Sequence, residues 1–535
     1  MKAHSDSVPY QDTGFFSKLI IDYLEKDNGL FPFYTHMPDM EGLKASIASR
    51  KQFNQDRELL FTALEQQYEG LDISPAIATN LAAIRQATTF TITTAHQPNI
   101  LTGPLYFIYK ILHAIRLANE LKKTLPQYDF VPVYYVGSED ADLDELGHIF
   151  LNGEKLEWQT GQTGAVGRMN TKGIEKLIAR LEGEFGDKPF GKKMAELCRK
   201  AYLQNNTVQQ ATLWLVNELF KAYGLLVVIP DNALLKKAFN EVVKKELTTQ
   251  FSYPLVQETI DRFSPNYKVQ AAGRSINLFY LNDDGSRERI ELKQPGEYLI
   301  VNKDISFSRD AILAELDQHP ERFSANVILR GVFQETILPN IAFIGGGGEI
   351  AYWLELKKVF EAADVPYPVL LLRNSFLLVL PKQQQSQQKL GLSTKELFFK
   401  EPDLVNELVK RNTHNKLDTK SEQDTVYKLY KQLQERGSAI DPTLKAHIAA
   451  LHIRTLQGLA GLEKKMLRAE KRKHADVTAQ VKQLHAALFP NGNLQERVDN
   501  FMPLYATYGD ALVHVLLEHS QPLTESFTVL YIDQD

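Results

Sequence analysis

Residues 90–110 read FTITTAHQPNILTGPLYFIYK, and this stretch decides the fold. Its first five residues are β-branched or aromatic, which predicts a buried strand. From Leu105 onward the apolar residues recur at helical spacing, which predicts a helix over 105–123. A polar turn at 95–104 joins the two. In an open α/β sheet, ligands bind outside the carboxyl ends of the strands, so this turn marks a candidate small-molecule site.

A second stretch with the same order of elements is FIGGGGEIAYW at 343–353. Glycines before a helix let a ligand approach the backbone N–H groups. The pattern is neither a Walker A loop nor GxGxxG, because Glu349 stands where the last glycine would be. A glutamate in the first helical turn would repel a second anion, which favours an ammonium-bearing ligand over a bare phosphate. The alternative is a tight turn with a favourable N-terminal glutamate.

Further short apolar runs predict the rest of a sheet. They lie at 130–136, 225–229, 326–329, 341–344 and 369–372. Near-continuous apolar strands between helices are typical of a parallel sheet covered on both faces. We therefore predict an α/β fold.

The chain divides into four predicted regions. An N-terminal helical segment (1–87) packs on a core (88–381), which carries insertions at about 151–200 and 250–320. An α-helical domain follows (382–500), and a C-terminal segment (501–535) returns to the core. The second insertion contains a turn signal, Asn282-Asp283-Asp284-Gly285, between two alternating runs.

The α-helical domain is predicted to hold a coiled-coil hairpin. Helical patterns at 420–436 and 441–489 are joined by Gly437, Asp441 and Pro442, which suit the end of one helix and the start of the next. The second helix would be about 70 Å long and too long for the first to cover. Its remaining apolar stripe needs the body of the protein or a second copy, and we favour a homodimer. The Gln-rich run 382–388 is predicted to be a linker.

Composition excludes several classes of protein. A net charge of -5 over 535 residues gives no overall attraction to nucleic acid, so we predict no nucleic-acid partner. We also predict no membrane partner, because no apolar stretch reaches the roughly 20 residues that span a bilayer. The single cysteine, Cys198, excludes an intrachain disulfide and any multi-cysteine metal site. It fits a cytoplasmic location, as does the lack of an apolar signal region in the first residues.

Polar residues at four predicted strand ends are the candidate site residues. We predict catalytic roles for His96, Asp140, Asp142 and Glu349. We predict substrate contacts from Gln97, Asn99, Thr102, Gly103, Tyr106, His148, Gly345, Gly346, Gly347, Gly348, Tyr352, Trp353, Arg373, Asn374 and Ser375.

Each cluster also has a structural alternative. Thr102 could be a helix N-cap. The carboxylates near Asp140 could bind an amine or act as a general base, or they could cap a helix. A metal site with His148 is a weaker alternative, and we assign no metal ligand. Arg373 could clamp a substrate carboxylate bidentately or pair with an acidic residue. A basic stretch at 464–473 is typical of a solvated helix face, with a nucleotide phosphate as the other interpretation.

Five motifs of the chain resemble those of a known family. The motifs are LTGPLYFIYK (101–110), GSEDADLDELGH (137–148), FIGGGGEIAYWLELK (343–357), PYPVLLLRNS (366–375) and LQERVDNFMPLY (494–505). Together they are similar to the BshC family of bacillithiol biosynthesis. The resemblance implies a Rossmann-like core with connecting insertions and a coiled-coil domain that supports dimerisation.

The resemblance also implies a ligase. Cysteine would be joined to glucosaminyl-malate through an amide bond, in the last step of bacillithiol biosynthesis. Carboxylates such as Glu349 and Asp140 could orient or deprotonate the amine, and Arg373 could hold a carboxylate. The resemblance suggests ATP or ADP as a cofactor near the coiled-coil domain and leaves a metal requirement open. The alternatives are a ligase for another amino acid or amino-sugar, and a non-catalytic scaffold or sensor.

Overall fold

The computed structural model describes residues 1–151 and 153–533. The chain forms two compact units. The first is Met1–Leu378 together with the segment from Asn493 onward, and the second is Val379–Gly492.

The strands are β1 (Ala3–Pro9), β2 (Thr89–His96), β3 (Asp129–Val136), β4 (His148–Leu151), β5 (Glu154–Glu157), β6 (Leu226–Val228), β7 (Leu278–Leu281), β8 (Arg287–Gln294), β9 (Glu297–Ile300), β10 (Ile305–Ser308), β11 (Phe323–Ala325), β12 (Asn340–Gly345), β13 (Val369–Leu372), β14 (Phe376–Val379) and β15 (Ser526–Ile532).

The helices of the first unit are α1 (Tyr10–Thr13), α2 (Lys18–Leu24), α3 (Met40–Arg50), α4 (Arg57–Tyr68), α5 (Pro75–Ala83), α6 (Tyr106–Thr124), α7 (Leu143–Leu146), α8 (Glu175–Phe185), α9 (Gly191–Leu203), α10 (Val208–Phe220), α11 (Ala233–Lys237), α12 (Asn240–Thr249), α13 (Ser252–Asp261), α14 (Arg309–Gln318), α15 (Val327–Ile337), α16 (Gly347–Leu354), α17 (Lys357–Ala362), α23 (Met502–Tyr508) and α24 (Asp510–His519). Those of the second unit are α18 (Pro381–Leu390), α19 (Glu401–Asn412), α20 (Lys420–Ile440), α21 (Leu444–Lys473) and α22 (Ala475–Leu488).

The central sheet of the first unit is parallel, with the strand order β13-β12-β2-β3-β6. If these five strands are numbered along the chain from β2 and read from the β6 edge, their order is 3-2-1-4-5, as in a Rossmann fold. The order reverses between β2 and β12, and the crevice at the carboxyl ends of these two strands is where such folds bind ligands. The predicted Rossmann-like α/β core is confirmed.

Every residue of β2 is buried, so both faces of this strand are covered. Phe90 and Ile92 point to the same face and are fully buried in one cluster with Leu43 of α3 and Leu117 of α6. Burying each such side chain contributes about 1.5–3 kcal/mol. Because the faces of the sheet are sealed, only its carboxyl edge is open to a ligand.

The described residues form three further sheets, and two of them bear on the predictions. The order β10-β9-β8-β7-β11 is antiparallel at every described pairing, and the predicted turn joins β7 to β8. There Asn282 N donates to Ser286 O, so this prediction is confirmed. The sheet β1-β15-β14 was not predicted, because β1 lies in the segment expected to be helical.

Two local predictions in and beside the core are wrong. Residues 326–329 begin helix α15 rather than a strand, because the Asn326 side chain accepts a hydrogen bond from Ile328 N and caps the helix. The Gln-rich run 382–388 lies within helix α18 rather than a linker. Runs as short as these carry too little periodicity to distinguish a helix from a strand or a linker.

The second unit contains the predicted antiparallel hairpin, formed by α20 and α21. Tyr430 Oη lies 2.9 Å from Thr455 Oγ1, and Gln423 Nε2 donates to Glu463 Oε1 further from the turn. Gly437 does not end the helix as predicted. It lies inside α20, where a Cβ would come within 2.5 Å of the end of the Ile448 side chain, so a larger residue would require that side chain to move.

The long second helix is also divided. It breaks at His474 (φ -103°, ψ 40°), so α21 has 30 residues and is about 45 Å long. The remainder, α22, packs against α18 and α19 within the same unit. Several large apolar side chains of the hairpin stay exposed: Tyr427, Leu429, Leu433, Ile440, Leu451, Ile453 and Leu462.

Candidate active site

A cavity of about 750 Å³ lies at the carboxyl edge of the central sheet, where the strand order reverses. Its floor comes from the ends of β2, β3, β12 and β13. Its other walls come from α15, from the antiparallel sheet and from the segment that precedes that sheet. The predicted residues in its lining are His96, Gln97, Tyr106, Asp140, Gly346, Gly347, Gly348, Glu349, Tyr352 and Arg373.

The structure does not bring the other predicted residues to this cavity. They are Asn99, Thr102, Gly103, Asp142, His148, Gly345, Trp353, Asn374 and Ser375. We therefore do not carry these residues forward as substrate contacts or catalytic groups.

The backbone of the turn after β2 explains why Asn99, Thr102 and Gly103 do not line the cavity. Leu101, Thr102 and Gly103 have φ values of 53°, 69° and 60°, a left-handed conformation that costs of order 1–3 kcal/mol for each non-glycine residue. The turn persists because Asn500 Nδ2 donates to Leu101 O (2.8 Å) and Gly103 O (2.7 Å). The side-chain oxygens of Asn99 and Thr102 are buried without a hydrogen-bond partner among the described residues, whereas His96, Gln97 and Tyr106 line the cavity.

Glu349 and Lys110 form an ion pair across the crevice. Lys110, on α6, is almost fully buried; its Nζ donates to Ala95 O at the end of β2 and to Glu349 Oε2. The same carboxylate oxygen accepts from Gly346 N at 2.8 Å. Burial lowers the pKa of Lys110 while Glu349 opposes that shift. Because Glu349 occupies the Gly346 N–H, the α16 N-terminus offers that donor to no phosphate.

The acidic cluster after β3 divides into structural and exposed carboxylates. Glu139 pairs with Lys236 and accepts from Ser324 Oγ. Asp142, predicted to be catalytic, caps α7 by accepting from Glu145 N and does not line the cavity. Asp140 lines the cavity, and its Oδ2 accepts from Gln97 Nε2 at 3.1 Å.

Two further members of this cluster behave differently. His148 Nδ1 lies 2.8 Å from Asp144 O, outside the cavity, so the loop uses the imidazole locally. Glu145 lines the cavity, and burial with the neighbouring Asp142 and Asp140 raises its pKa. The carboxylates of this loop that line the cavity are therefore Glu139, which is paired with Lys236, and the two without an ion pair among the described residues, Asp140 and Glu145.

Arg373 is only 3% exposed and is paired with Glu496, which is 0% exposed. Its Nη2 lies 2.6 Å from Glu496 Oε1, and its Nη1 donates to Asn374 O and Ser375 Oγ. Of the two interpretations from sequence, pairing with an acidic residue is the one observed. The partner lies 123 residues away rather than in the acidic cluster.

His96 is a buried, neutral imidazole. Burial, Lys110 and Arg373 lower its pKa well below 6.5. Its ring packs against Tyr106 and Phe107, and Nε2 has no hydrogen-bond partner among the described residues. This environment disfavours the imidazolium that a general base must form.

Four arginines of the lining were missed from the sequence: Arg274, Arg287, Arg330 and Arg497. Among residues 1–151 and 153–533, none of the four has a carboxylate within ion-pair distance, whereas the cations Lys110 and Arg373 are neutralised. The cavity therefore carries positive charge without an ion-pair partner in the described part of the chain, as well as carboxylates near the end of β3, and two of these carboxylates, Glu139 and Asp140, act on the charge of Arg287. Arg497 lies in the motif at 494–505, but no motif signals the other three arginines, which come from separate segments. Lys110 did carry a signal, as a lone lysine among the apolar residues of a buried helix.

Two absences concern the described part of the chain. Within it, no group of three or more His, Cys, Asp or Glu side chains is arranged to hold a metal ion. None of its helices combines the length and the apolar character that crossing a bilayer requires.

The fold and the cavity define a Rossmann-like protein with a polar small-molecule site at the carboxyl edge of its sheet. Residues 1–374 match the family model described as "Bacillithiol biosynthesis BshC, N-terminal Rossmann-like domain", and residues 376–532 match the corresponding C-terminal coiled-coil domain. The chain belongs to the BshC family.

Curated relatives agree over the full length. A Flavobacterium johnsoniae protein is 40% identical over 99% of this chain and 100% of its own length, and one from Flavobacterium psychrophilum is 39% identical over 98% and 99%. A Christiangramia forsetii protein is 38% identical over 98% and 99%. All three carry the name "Putative cysteine ligase BshC".

Proposed function

We propose that this chain is a ligase that joins L-cysteine to glucosaminyl-malate by an amide bond, the last step of bacillithiol biosynthesis. The proposal rests on the family and on one structural observation. The crevice where the strand order reverses opens into a cavity lined both by carboxylates and by arginines that have no ion-pair partner among the described residues. An acceptor with an amine at one end and carboxylates at the other matches this charge distribution.

The amine end fits the loop after β3. Asp140 is held by Gln97 through one carboxylate oxygen, and its other oxygen accepts from Ala141 N. In the proposed reaction the amine nitrogen forms a bond to the activated carboxyl carbon of cysteine. The activating group leaves with its electron pair, and the amine proton passes to Asp140. Glu349 is the weaker candidate for this base because Lys110 neutralises it.

The carboxylates of the acceptor fit the arginines of the cavity lining. Arg330, from α15, donates to Tyr352 Oη, and Arg287 lies over the Phe279 ring at 4.0 Å while its Nε donates to Ser324 Oγ. Guanidinium groups held in fixed orientations bind carboxylates with charge-assisted hydrogen bonds. We assign the malyl group to these arginines of the lining.

ATP is the proposed cofactor and would supply activation of the cysteine carboxyl group. The arginines that lack a carboxylate partner fit phosphates as well as carboxylates, whereas the α16 N-terminus does not offer its Gly346 N–H.

We also propose a homodimer, because the α20–α21 hairpin exposes a row of large apolar side chains that a second copy would cover. Light scattering tests it. Replacing Ile453 and Leu462 by Glu is expected to give a monomer with unchanged helicity, whereas a dimer that survives contradicts the proposal.

The test of the reaction is mass spectrometry of the purified chain incubated with glucosaminyl-malate and cysteine, with and without ATP and magnesium. We expect a product with the mass of bacillithiol only when ATP is present. Asp140→Asn is expected to lower its rate about 100-fold or more, in line with loss of a general base. Asp144→Asn is the matched control, since this exposed carboxylate of the same loop is outside the cavity.

Two other outcomes would change the proposal. Product with another amino acid or amino-sugar, but none with the proposed pair, would keep the ligase and change its substrates. An absence of product under every condition would favour the scaffold or sensor alternative.

A further inference from the structure

The segment 494–500, LQERVDN, belongs to the motifs that mark the family. It follows the second unit in the chain and is part of the first. Arg497 is exposed, although the two residues before it are buried. Gln495 and Glu496 are at most 8% exposed, whereas Arg497 is exposed and lines the cavity.

The buried side chains fix one end of the segment to the strands after the crevice. Glu496 Oε1 accepts from Arg373 Nη2 at 2.6 Å, and its Oε2 accepts from Phe376 N at 3.2 Å. Gln495 Oε1 accepts from Leu378 N at 3.0 Å. A carboxylate removed from water in this way is stable only because it is paired and hydrogen-bonded.

The other end is fixed to the turn after β2. Asp499 O accepts from Leu105 N at 2.9 Å, and Asn500 holds the left-handed residues through two carbonyl oxygens. The segment is therefore fastened to both sides of the crevice. Arg497 lies between the two points of attachment, so the backbone that carries it has little freedom.

Arg497 is also free to bind. Among the described residues it has no carboxylate within ion-pair distance and no side-chain hydrogen bond. Arg373 shows the contrast, since Glu496 takes its charge. A cation on a fixed backbone, facing a cavity and lacking a partner, is suited to an anionic group of a ligand.

We propose that Arg497 is a substrate-binding residue that takes a carboxylate of the acceptor, and that Gln495, Glu496 and Asn500 position it. This inference rests on the proposed function for the identity of the acceptor. A nucleotide phosphate offers the same anionic chemistry, and the experiment below separates the two sources.

The test is isothermal titration calorimetry of the full chain with three probes: glucosaminyl-malate, its dimethyl ester, and ADP. Arg497→Gln is expected to bind glucosaminyl-malate about 10- to 100-fold more weakly, the range for one charge-assisted contact. Binding of the ester and of ADP should stay unchanged. Arg497→Lys should recover part of the loss, because a lysine keeps the charge and lacks the planar fork.

Two controls separate binding from folding. Arg309→Gln removes an exposed arginine outside the cavity and should bind all three probes like the wild type. Thermal unfolding of Arg497→Gln without ligand should match that of the wild type, because this side chain makes no ion pair to lose.

The remaining outcomes decide between the two proposals. Equal affinity of wild type and Arg497→Gln for glucosaminyl-malate would overturn the role of Arg497 and leave the proposed function intact. Loss of ADP binding alone would overturn the carboxylate assignment in favour of phosphate. A further titration uses L-malate: if the wild type bound it through Arg497 but did not bind glucosaminyl-malate, the Arg497 site would stand and the proposed acceptor would be wrong. No binding of any carboxylate would overturn both.

Discussion

The two turns that flank the crevice are built in opposite ways. The turn after β12 is stabilised by its own residues, since Glu349 accepts from Gly346 N three positions earlier. The turn after β2 adopts left-handed conformations at Leu101 and Thr102 and depends on Asn500 from a distant part of the chain. One side of the site is therefore determined by residues that are close in sequence, and the other side by contacts with a distant part of the chain.

The largest expected effect is a loss of stability when a glycine of the turn after β2 is replaced by alanine. The same replacement in the turn after β12 is the comparison. Gly103→Ala puts a Cβ within 2.7 Å of the Asn99 side chain, at a backbone conformation (φ 60°, ψ -150°) that L-residues avoid. We expect a loss of about 3–5 kcal/mol in the free energy of unfolding, from strain and overpacking together.

The matched change in the other turn is Gly348→Ala. A Cβ there would meet nothing within 4 Å, so alanine should leave stability unchanged or raise it by up to about 1 kcal/mol. Urea denaturation of both variants measures the difference. Equal losses in the two would show that the turns are not built differently.

The next effect concerns the external support. Asn500→Ala leaves the buried carbonyl oxygens of Leu101 and Gly103 without their donor, and we expect a loss of about 2–4 kcal/mol. Affinity for glucosaminyl-malate should fall as well, because Gln97 and Tyr106 lie at the ends of this turn. Denaturation and calorimetry on the same variant check both. A stable variant with native affinity would show that the turn holds its shape without Asn500.

A smaller effect should link the two turns. Lys110 contacts Ala95 O beside one turn and Glu349 in the other. Lys110→Met should cost about 1–3 kcal/mol, because it leaves a partly buried carboxylate without its cation. In a double-mutant cycle with Glu349→Gln, we expect a coupling free energy of at least about 0.5 kcal/mol. Additive losses would mean that the pair does not connect the two sides.

The smallest effect is a pH dependence of stability that comes from His113, which contacts Asn374 just after β13. Burial lowers the pKa of His113 to about 4, and its neutral ring accepts from Asn374 N. The unfolded chain takes up this proton near pH 6.5, before the folded chain does, so stability falls as the pH drops from about 6.5 towards 4.

Between pH 7 and 5.5 this loss should be about 1 kcal/mol. His113→Gln removes the titrating group and should make the denaturation midpoint less sensitive to pH in that range. An unchanged pH dependence in the variant would assign the effect to other groups.

The part of the fold that local pattern determines could be predicted from the sequence. The apolar runs of β2, β3, β12 and β13 predicted a parallel sheet, and Glu349 was correctly placed in the first turn of α16. Residues 326–329 were misassigned because one capping side chain, Asn326, outweighs a short apolar run.

The candidate site was predicted less completely, since its contacts join distant parts of the chain. The sequence placed Arg373 at a strand end but gave no means of finding Glu496 as its partner. It named Asn99 and Thr102 as substrate contacts because nothing local reveals that Asn500 turns this loop away from the cavity. Spacing along the chain carries no information about which of several arginines will meet in space.

The support that Asn500 gives to the turn after β2 also has a consequence during synthesis. Asn500 lies 399 residues beyond Leu101. At about 5–20 residues per second, roughly 20–80 s pass between the appearance of the turn and that of its support. In that interval all of Val379–Gly492 is made, and its helices can pair through neighbouring segments. The nascent chain therefore completes its coiled-coil hairpin before its candidate active site, which forms only when the segment after that hairpin arrives.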